Sequence, residues 1–283
     1  MLNTISKLNK TETTVYEREN KFFEVQTQLF DIFSNEAKRE KSILCSYSAQ
    51  IISKIAIFIC SSSKTAAAIG IAGETASGKS TIAYDIIDML NEYAQAKGMP
   101  GLVTRINTDD YYYDRSEQVK AAGSFAAFAQ NYDLDCPEAL ELDLMKKQIR
   151  DLREGKEVYL PKYDMSGTAI RTDNHTLAVP RPIIISEGLF NLTEKIANAF
   201  DFKIYVDIDR KSQEERFYYR ANERNLGDSA SEVLRKADVG AIRFVRPSKD
   251  RADIVLSGAA NREDYKNFIG QILNIVENVY KKC

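Results

Sequence analysis

The stretch "GETASGKS", Gly73 to Ser80, holds the residues best suited to chemistry on a phosphate. Gly73, Gly78, Lys79 and Ser80 match G-x-x-x-x-G-K-[ST], with Glu74, Thr75, Ala76 and Ser77 between the glycines and Thr81 after them. Glycines let a backbone wrap an anion with successive N–H groups turned inward, and a helix N-terminus adds positive potential. A lysine here reaches the outer phosphates and a serine hydroxyl can ligate Mg²⁺. A second group, "NTDDYYYDR" (107 to 115), carries Asp109 and Asp110. Carboxylates beside a phosphate loop either hold Mg²⁺ through water or take the proton of an attacking hydroxyl. A solvated turn would read the same way, and Tyr111, Tyr112 and Tyr113 fit a core or the flank of a planar substrate. Glu187, in "PIIISEG", stands beside a glycine at the end of an apolar run, which favours a functional acid over a surface one.

These residues need elements to position them. "AAAIGIAG" (66 to 73) lacks polar alternation, as expected of a strand buried on both faces of a parallel sheet. Ile82, Ile86, Leu90 and Tyr93 recur at helical spacing behind the loop, with Gly98 at the end. Further strands are expected at 102 to 108, 182 to 188, 202 to 209 and 252 to 257, separated by helical patterns. That alternation predicts an α/β fold, a doubly wound parallel sheet flanked by helices. Residues 155 to 182 read as an inserted hairpin over one sheet end. A parallel sheet places the residues after its strands at one carboxyl edge, which gathers Gly73, Asp109 and Glu187. Residues 1–64 read as a helical N-terminal extension, with stripes at Phe22, Val25, Leu29 and Phe33 and at Leu44, Tyr47, Ile51, Ile55 and Phe58; residues 65–283 form the catalytic unit, closed by a helix through Tyr265, Phe268, Ile272, Val276 and Val279.

The composition excludes other classes. Lys+Arg 39 against Asp+Glu 41 gives a net charge of -2, without the basic surplus of a nucleic-acid binder. No run approaches the roughly 20 apolar residues of a spanning helix, so no membrane is expected. The cysteines (Cys45, Cys60, Cys136, Cys283) are scattered without metal spacing, as in reduced cytoplasmic proteins. The single histidine, His175, rules out a multi-histidine metal site and reads as exposed and inert.

"GETASGKST", "TDDYYYD", "LDCPEALELDLM", "LPKYDMSG", "IIISEGLF", "YVDIDRKSQEERFYYRANER" and "RPSKDRADIVL" occur in this order. Order and spacing resemble the uridine kinase and phosphoribulokinase-like family of P-loop kinases over residues 66 to about 280. The resemblance implies an ATP- and Mg²⁺-dependent phosphoryl transfer to a small-molecule hydroxyl. It implies Asp109 as the base, with Asp110 its rival, Lys79 on the phosphates, and Ser80 and Glu187 at Mg²⁺. Tyr112, Asp135, Tyr163 and Arg171 fall on the acceptor side. Arg220 and Arg224 fall on a lid, although their i, i+4 spacing alone suits a solvated helix face equally well. Pro247, Ser248 and Lys249 fall in a segment that runs under adenine. The chain departs from the family pattern in places: Cys136 replaces a histidine, Leu134 an aromatic, "PKYDMSG" lacks the histidine that follows in nucleoside-specific members, and "RANERNLGD" lacks one arginine. A nucleoside is therefore the leading acceptor. A pantothenate kinase-like activity, suggested by "SEGLFNL" and the helical extension, is the alternative. A nucleotide-binding regulatory protein is the third reading, opposed by the intact Lys79, Ser80, Asp109 and Glu187. The N-terminal helices are expected to dock on the catalytic unit or on a second copy.

Overall fold

The computed structural model describes residues 66–259 apart from 97, 99, 167, 225 and 226. The N-terminal extension and the closing helix lie outside the described residues.

Strand β1 (Ala67–Gly73) is the centre of a five-stranded sheet. Its sequence is small and apolar because both faces are covered. Helix α1 (Lys79–Ala96) follows, then β2 (Val103–Asn107) at the sheet edge. Strands β3 (Val158–Tyr163) and β4 (Arg171–Ala178) form the antiparallel hairpin, and β5 (Ile183–Glu187), β6 (Phe202–Asp207) and β7 (Ile254–Ser257) complete the sheet in the order β2-β5-β1-β6-β7. All its pairings are parallel, so the strands end at one edge. Every expected strand forms, as does the hairpin.

The register does the positioning. Glu187 pairs with Ile71 of β1 and with Asn107 of β2. The chain leaving β2 therefore starts beside Glu187, and two residues carry it to Asp109.

Between β2 and the hairpin lie a 3₁₀ turn (Thr108–Tyr111), two short helices (Ser116–Ala122 and Phe125–Asn131) and the amphipathic helix Leu142–Arg153. The helix expected to form the lid runs Arg210–Glu223, started by Asp209, whose side chain accepts the Ser212 N–H at 2.9 Å. The next helix, Ala230–Gly240, continues through a π turn at Ala241–Val245 into Arg246–Ser248. The core is continuous from the sheet to the hairpin: Ile106, Tyr111, Met145, Ile149, Leu152, Ile184 and Phe190 are all essentially inaccessible.

Candidate active site

The phosphate loop is built as its sequence requires. A Cβ on Gly73 would sit 2.5 Å from the Val206 carbonyl oxygen, so only glycine lets β1 leave the sheet there. The loop closes when Ser77 N–H donates to the Glu74 carbonyl at 3.1 Å. Ala76 and Gly78 both have positive φ, 62° and 96°, which turns neighbouring N–H groups into one concavity. At Ala76 that conformation costs about 1–2 kcal/mol, the kind of strain that persists where function requires it. Helix α1 begins at Lys79, with its N-terminus facing the concavity.

The acids stand opposite. Glu187 is buried at 5% exposure. Its Oε2 accepts the Ser80 hydroxyl at 2.9 Å, and its Oε1 accepts Arg105 Nη2 at 2.9 Å. The Arg105 guanidinium also lies over the Tyr84 ring at 4.5 Å. Asp109 sits in the 3₁₀ turn, held by anchors on both sides. Buried Thr108 donates to Asn191 Oδ1 at 2.7 Å, and buried Tyr111 donates to Gln148 Oε1 at 2.6 Å. Burial raises the Asp109 carboxyl, the Lys79 ammonium opposes that, and Glu187 and Asp110 add to it. Burial lowers Lys79, opposed by Asp109 and Glu187. Arg220 acts on Lys79 and Arg224 on Asp109. Lys79, Asp109, Glu187 and the two arginines thus form one electrostatic group. Asp110 turns elsewhere: its carboxylate pairs with Lys162 at 3.1 Å and accepts the Tyr163 N–H at 3.3 Å. The two acids lie in a 3₁₀ turn, where successive side chains diverge by about 120°.

Among the residues expected on the acceptor side, Tyr112 and Tyr163 meet with ring centroids 5.3 Å apart. The Tyr112 phenol is raised well above its usual value by burial, then by Asp109, Asp135, Tyr163 and Cys136. Asp135 is pushed up to about 6 by burial and by Asp133, with Lys236 opposing. The structure therefore brings Asp109, Asp135 and Tyr163 around Tyr112. It does not bring Arg171 to that group. Arg171 pairs with Tyr163 in the ladder, but its guanidinium is ion-paired with Glu141 and its N–H donates to Asp114 at 3.0 Å, tying the hairpin to its neighbours.

Asp135 supports a test with two opposite readouts. A carboxylate whose folded value is raised destabilises the fold once ionised. The penalty is absent below the ordinary value near 4 and full above about 6. Asp135→Asn should therefore raise stability by about 1–2 kcal/mol at pH 8, after allowance for solvent screening, and by nothing near pH 3.5. It should also raise KM for the acceptor. Melting curves at the two pH values and acceptor titrations check both.

A cavity of about 450 Å³ opens against the loop, lined in part by Gly78, Thr81, Arg216, Tyr219, Arg220 and Gly258. Sequence reasoning passed over Arg216. Its signal was the repeat of arginines at 216, 220 and 224, one face of a helix, a like-charge stripe that an anion would relieve. Arg216 Nη1 donates to the Gly258 carbonyl at 2.8 Å. Arg105, also passed over, lacked any signal in the sequence. Pro247, Ser248 and Lys249 do not line this cavity. Their segment is helical, with Ser248 fully buried and bonded to the Val245 carbonyl at 2.7 Å and Lys249 paired with Asp207 at 2.5 Å. The Ser80 hydroxyl and the Glu187 carboxylate, 2.9 Å apart at the foot of the loop, are hard oxygen donors that suit Mg²⁺. No group of three or more His, Cys, Asp or Glu side chains could hold a metal among the described residues, and no helix among them is long and apolar enough to cross a membrane.

Comparison with known proteins gives the same picture. The model of the phosphoribulokinase / uridine kinase family matches residues 68–264. A uridine kinase of Borrelia duttonii (strain Ly) is 30% identical over 195 residues, covering 66% of this chain and 84% of that protein. A uridine kinase of Lactobacillus helveticus (strain DPC 4571) is 32% identical over 198 residues, with the same coverage. A uridine-cytidine kinase of Danio rerio is 26% identical over 214 residues, covering 74% of this chain and 80% of that one. Among solved structures, one from Silicibacter sp. TM1040, provisionally assigned as a fructose transport system kinase, superposes with a TM-score of 0.52 at 17% identity, covering 70% of this chain and 94% of that one. That likeness concerns the fold.

Proposed function

The chain belongs to the phosphoribulokinase / uridine kinase family, and from that membership we propose that this ATP-dependent small-molecule kinase phosphorylates a hydroxyl of a nucleoside, in the manner of a uridine or cytidine kinase. The observation that carries the reading is the position of Asp109. It shares one electrostatic group with Lys79 and Glu187 on the phosphate side and with Tyr112 on the acceptor side. The relatives named above support a nucleoside as acceptor.

In this reading the loop N–H groups and Lys79 hold the triphosphate. Arg220 and Arg224 approach its outer end from the lid helix, and Arg216 faces the cavity that receives the donor nucleoside. Ser80 and Glu187 hold Mg²⁺, which when bound offsets charge on the transferred group. Tyr112 and Tyr163 flank the acceptor base, and Asp135 accepts its ribose hydroxyls. Asp109 takes the proton of the attacking hydroxyl. Raised by burial, it is a better proton acceptor than an exposed aspartate. Residues 65–283 constitute the kinase unit, residues 1–64 an extension suited to pairing with a second copy, and the cytoplasm is the compartment that supplies ATP and a reduced environment.

The test is an acceptor panel of uridine, cytidine, pantothenate, ribulose 5-phosphate and glycerate with ATP and Mg²⁺, followed by ADP release. A nucleoside should give the highest kcat/KM. Turnover only with pantothenate, or with none, would replace this reading.

A further inference from the structure

The phosphate loop carries a carboxylate of its own. Glu74 is the second residue of a loop whose task is to hold an anion, and at roughly 3.8 Å per residue along a folded eight-residue loop its charge stands within about one Debye length of the cradle. The structure shows what becomes of that charge. Glu74 accepts a fork of two bonds from Arg246, Nε to Oε1 at 2.9 Å and Nη2 to Oε2 at 3.1 Å. Gln213, buried in the lid helix, donates to Glu74 Oε2 at 3.2 Å and to the Thr75 carbonyl at 3.0 Å. Arg246 also contacts Asp238, which accepts Arg210 Nη1 at 3.0 Å. The network thus joins the loop, the middle and the C-terminal end of the helical segment 230–248 and the first turn of the helix Arg210–Glu223. An isolated exposed ion pair would add little. This one is bidentate, its carboxylate is only 15% exposed, and it is shared among several elements.

We propose that Arg246 is a positioning residue that cancels the charge of Glu74 and holds its carboxylate away from the phosphate cradle, so that the loop can accept a triphosphate despite its own acid. This rests on the reading of the loop as the ATP site and deepens it.

The experiment is calorimetric binding of ATP, ADP and adenosine to the full chain in Mg²⁺, for the wild type, Arg246→Gln, Glu74→Gln, the double variant and Lys79→Ala. Arg246→Gln releases an uncompensated carboxylate. It should weaken ATP binding about tenfold or more, ADP less, and adenosine hardly at all, since the penalty scales with ligand charge. Glu74→Gln should tighten ATP binding. The double variant should recover to within about threefold of wild type, because no charge is left to cancel. Loss of affinity in the double variant equal to that of Arg246→Gln would overturn the proposal, since Arg246 would then act on the ligand or the fold directly. Equal loss for ATP and adenosine would overturn it as well. Melting curves on each variant identify any that fails to fold; for such a case Arg246→Lys, which keeps the charge and loses the fork, should bind ATP more weakly than wild type but by less than the tenfold expected of Arg246→Gln, and wild-type affinity in Arg246→Lys or in a folded Arg246→Gln would sink the idea. A wild-type protein that does not bind ATP, or a Lys79→Ala variant that binds it unchanged, would instead dismiss the reading of the loop.

Discussion

Asp109→Asn should lower turnover by about 10² or more while ATP binding is retained. Asparagine keeps the shape of the side chain and its place in the 3₁₀ turn, but cannot accept a proton, and loss of a general base is worth roughly 10²–10⁴ in rate. Retained binding is expected because the turn is anchored by Thr108 and Tyr111 rather than by the carboxylate. The neighbouring acid gives the contrast. Asp110 is bonded to Lys162 and to the Tyr163 N–H. Asp110→Asn should therefore disturb the hairpin and raise KM for the acceptor, with a smaller loss in kcat. Steady-state kinetics on both variants separate the two acids. Full loss of kcat in Asp110→Asn with near wild-type Asp109→Asn would reverse their roles.

Lys79→Ala is expected to weaken ATP binding tenfold or more and to lower turnover further. A charge-assisted hydrogen bond contributes about 1.5–3 kcal/mol, and here the loss has a second part. Asp109 and Glu187 both act on Lys79, and Lys79 in turn opposes the upward push that burial, Glu187 and Asp110 exert on the Asp109 carboxyl. Without the ammonium, two carboxylates face the incoming phosphates, offset by Arg105 on Glu187 and by Arg220 and Arg224. The deficit should therefore be larger for ATP than for ADP. Titration of both nucleotides, with thermal melting as the fold control, provides the check; equal affinities in mutant and wild type would exclude the role.

Much of this was legible in the residues. A strand covered on both faces has no polar alternation, and "AAAIGIAG" and "PIIISEG" show that pattern, so β1 and β5 could be placed with little error. The phosphate loop could be read because a backbone cradle restricts residue types at fixed spacing. Asp109 was reached through the order of motifs, while the reason it diverges from Asp110 was not, because a 3₁₀ turn of four residues carries no periodicity. Two features stayed hidden for the same physical reason. Arg105 on Glu187 and Arg246 on Glu74 are pairings between residues 82 and 172 positions apart, and a single sequence holds no record of which distant charges meet. The segment "RPSKDRAD" was expected to run beneath adenine. Its helical conformation, entered through a π turn, was not legible, although proline is tolerated at the first positions of a helical turn.

The contact between Gly258 and the phosphate loop sets an order of events in time. A Cβ at Gly258 would collide with the Ser77 carbonyl oxygen, and its own carbonyl receives Arg216. Gly258 thus forms the floor under a loop that the ribosome makes near the start of the same unit. At about 5–20 residues per second, the stretch between Ser77 and Gly258 takes roughly 10–40 s to synthesise. For most of that interval β6 has not been made, and β7 is completed only at its end, so the loop stands without its support. Nucleotide capture is therefore a late event in the life of each new chain. ATP stabilises only molecules that have already closed the sheet, and a pulse-labelled nascent chain halted before β7 should show no protection from proteolysis by ATP.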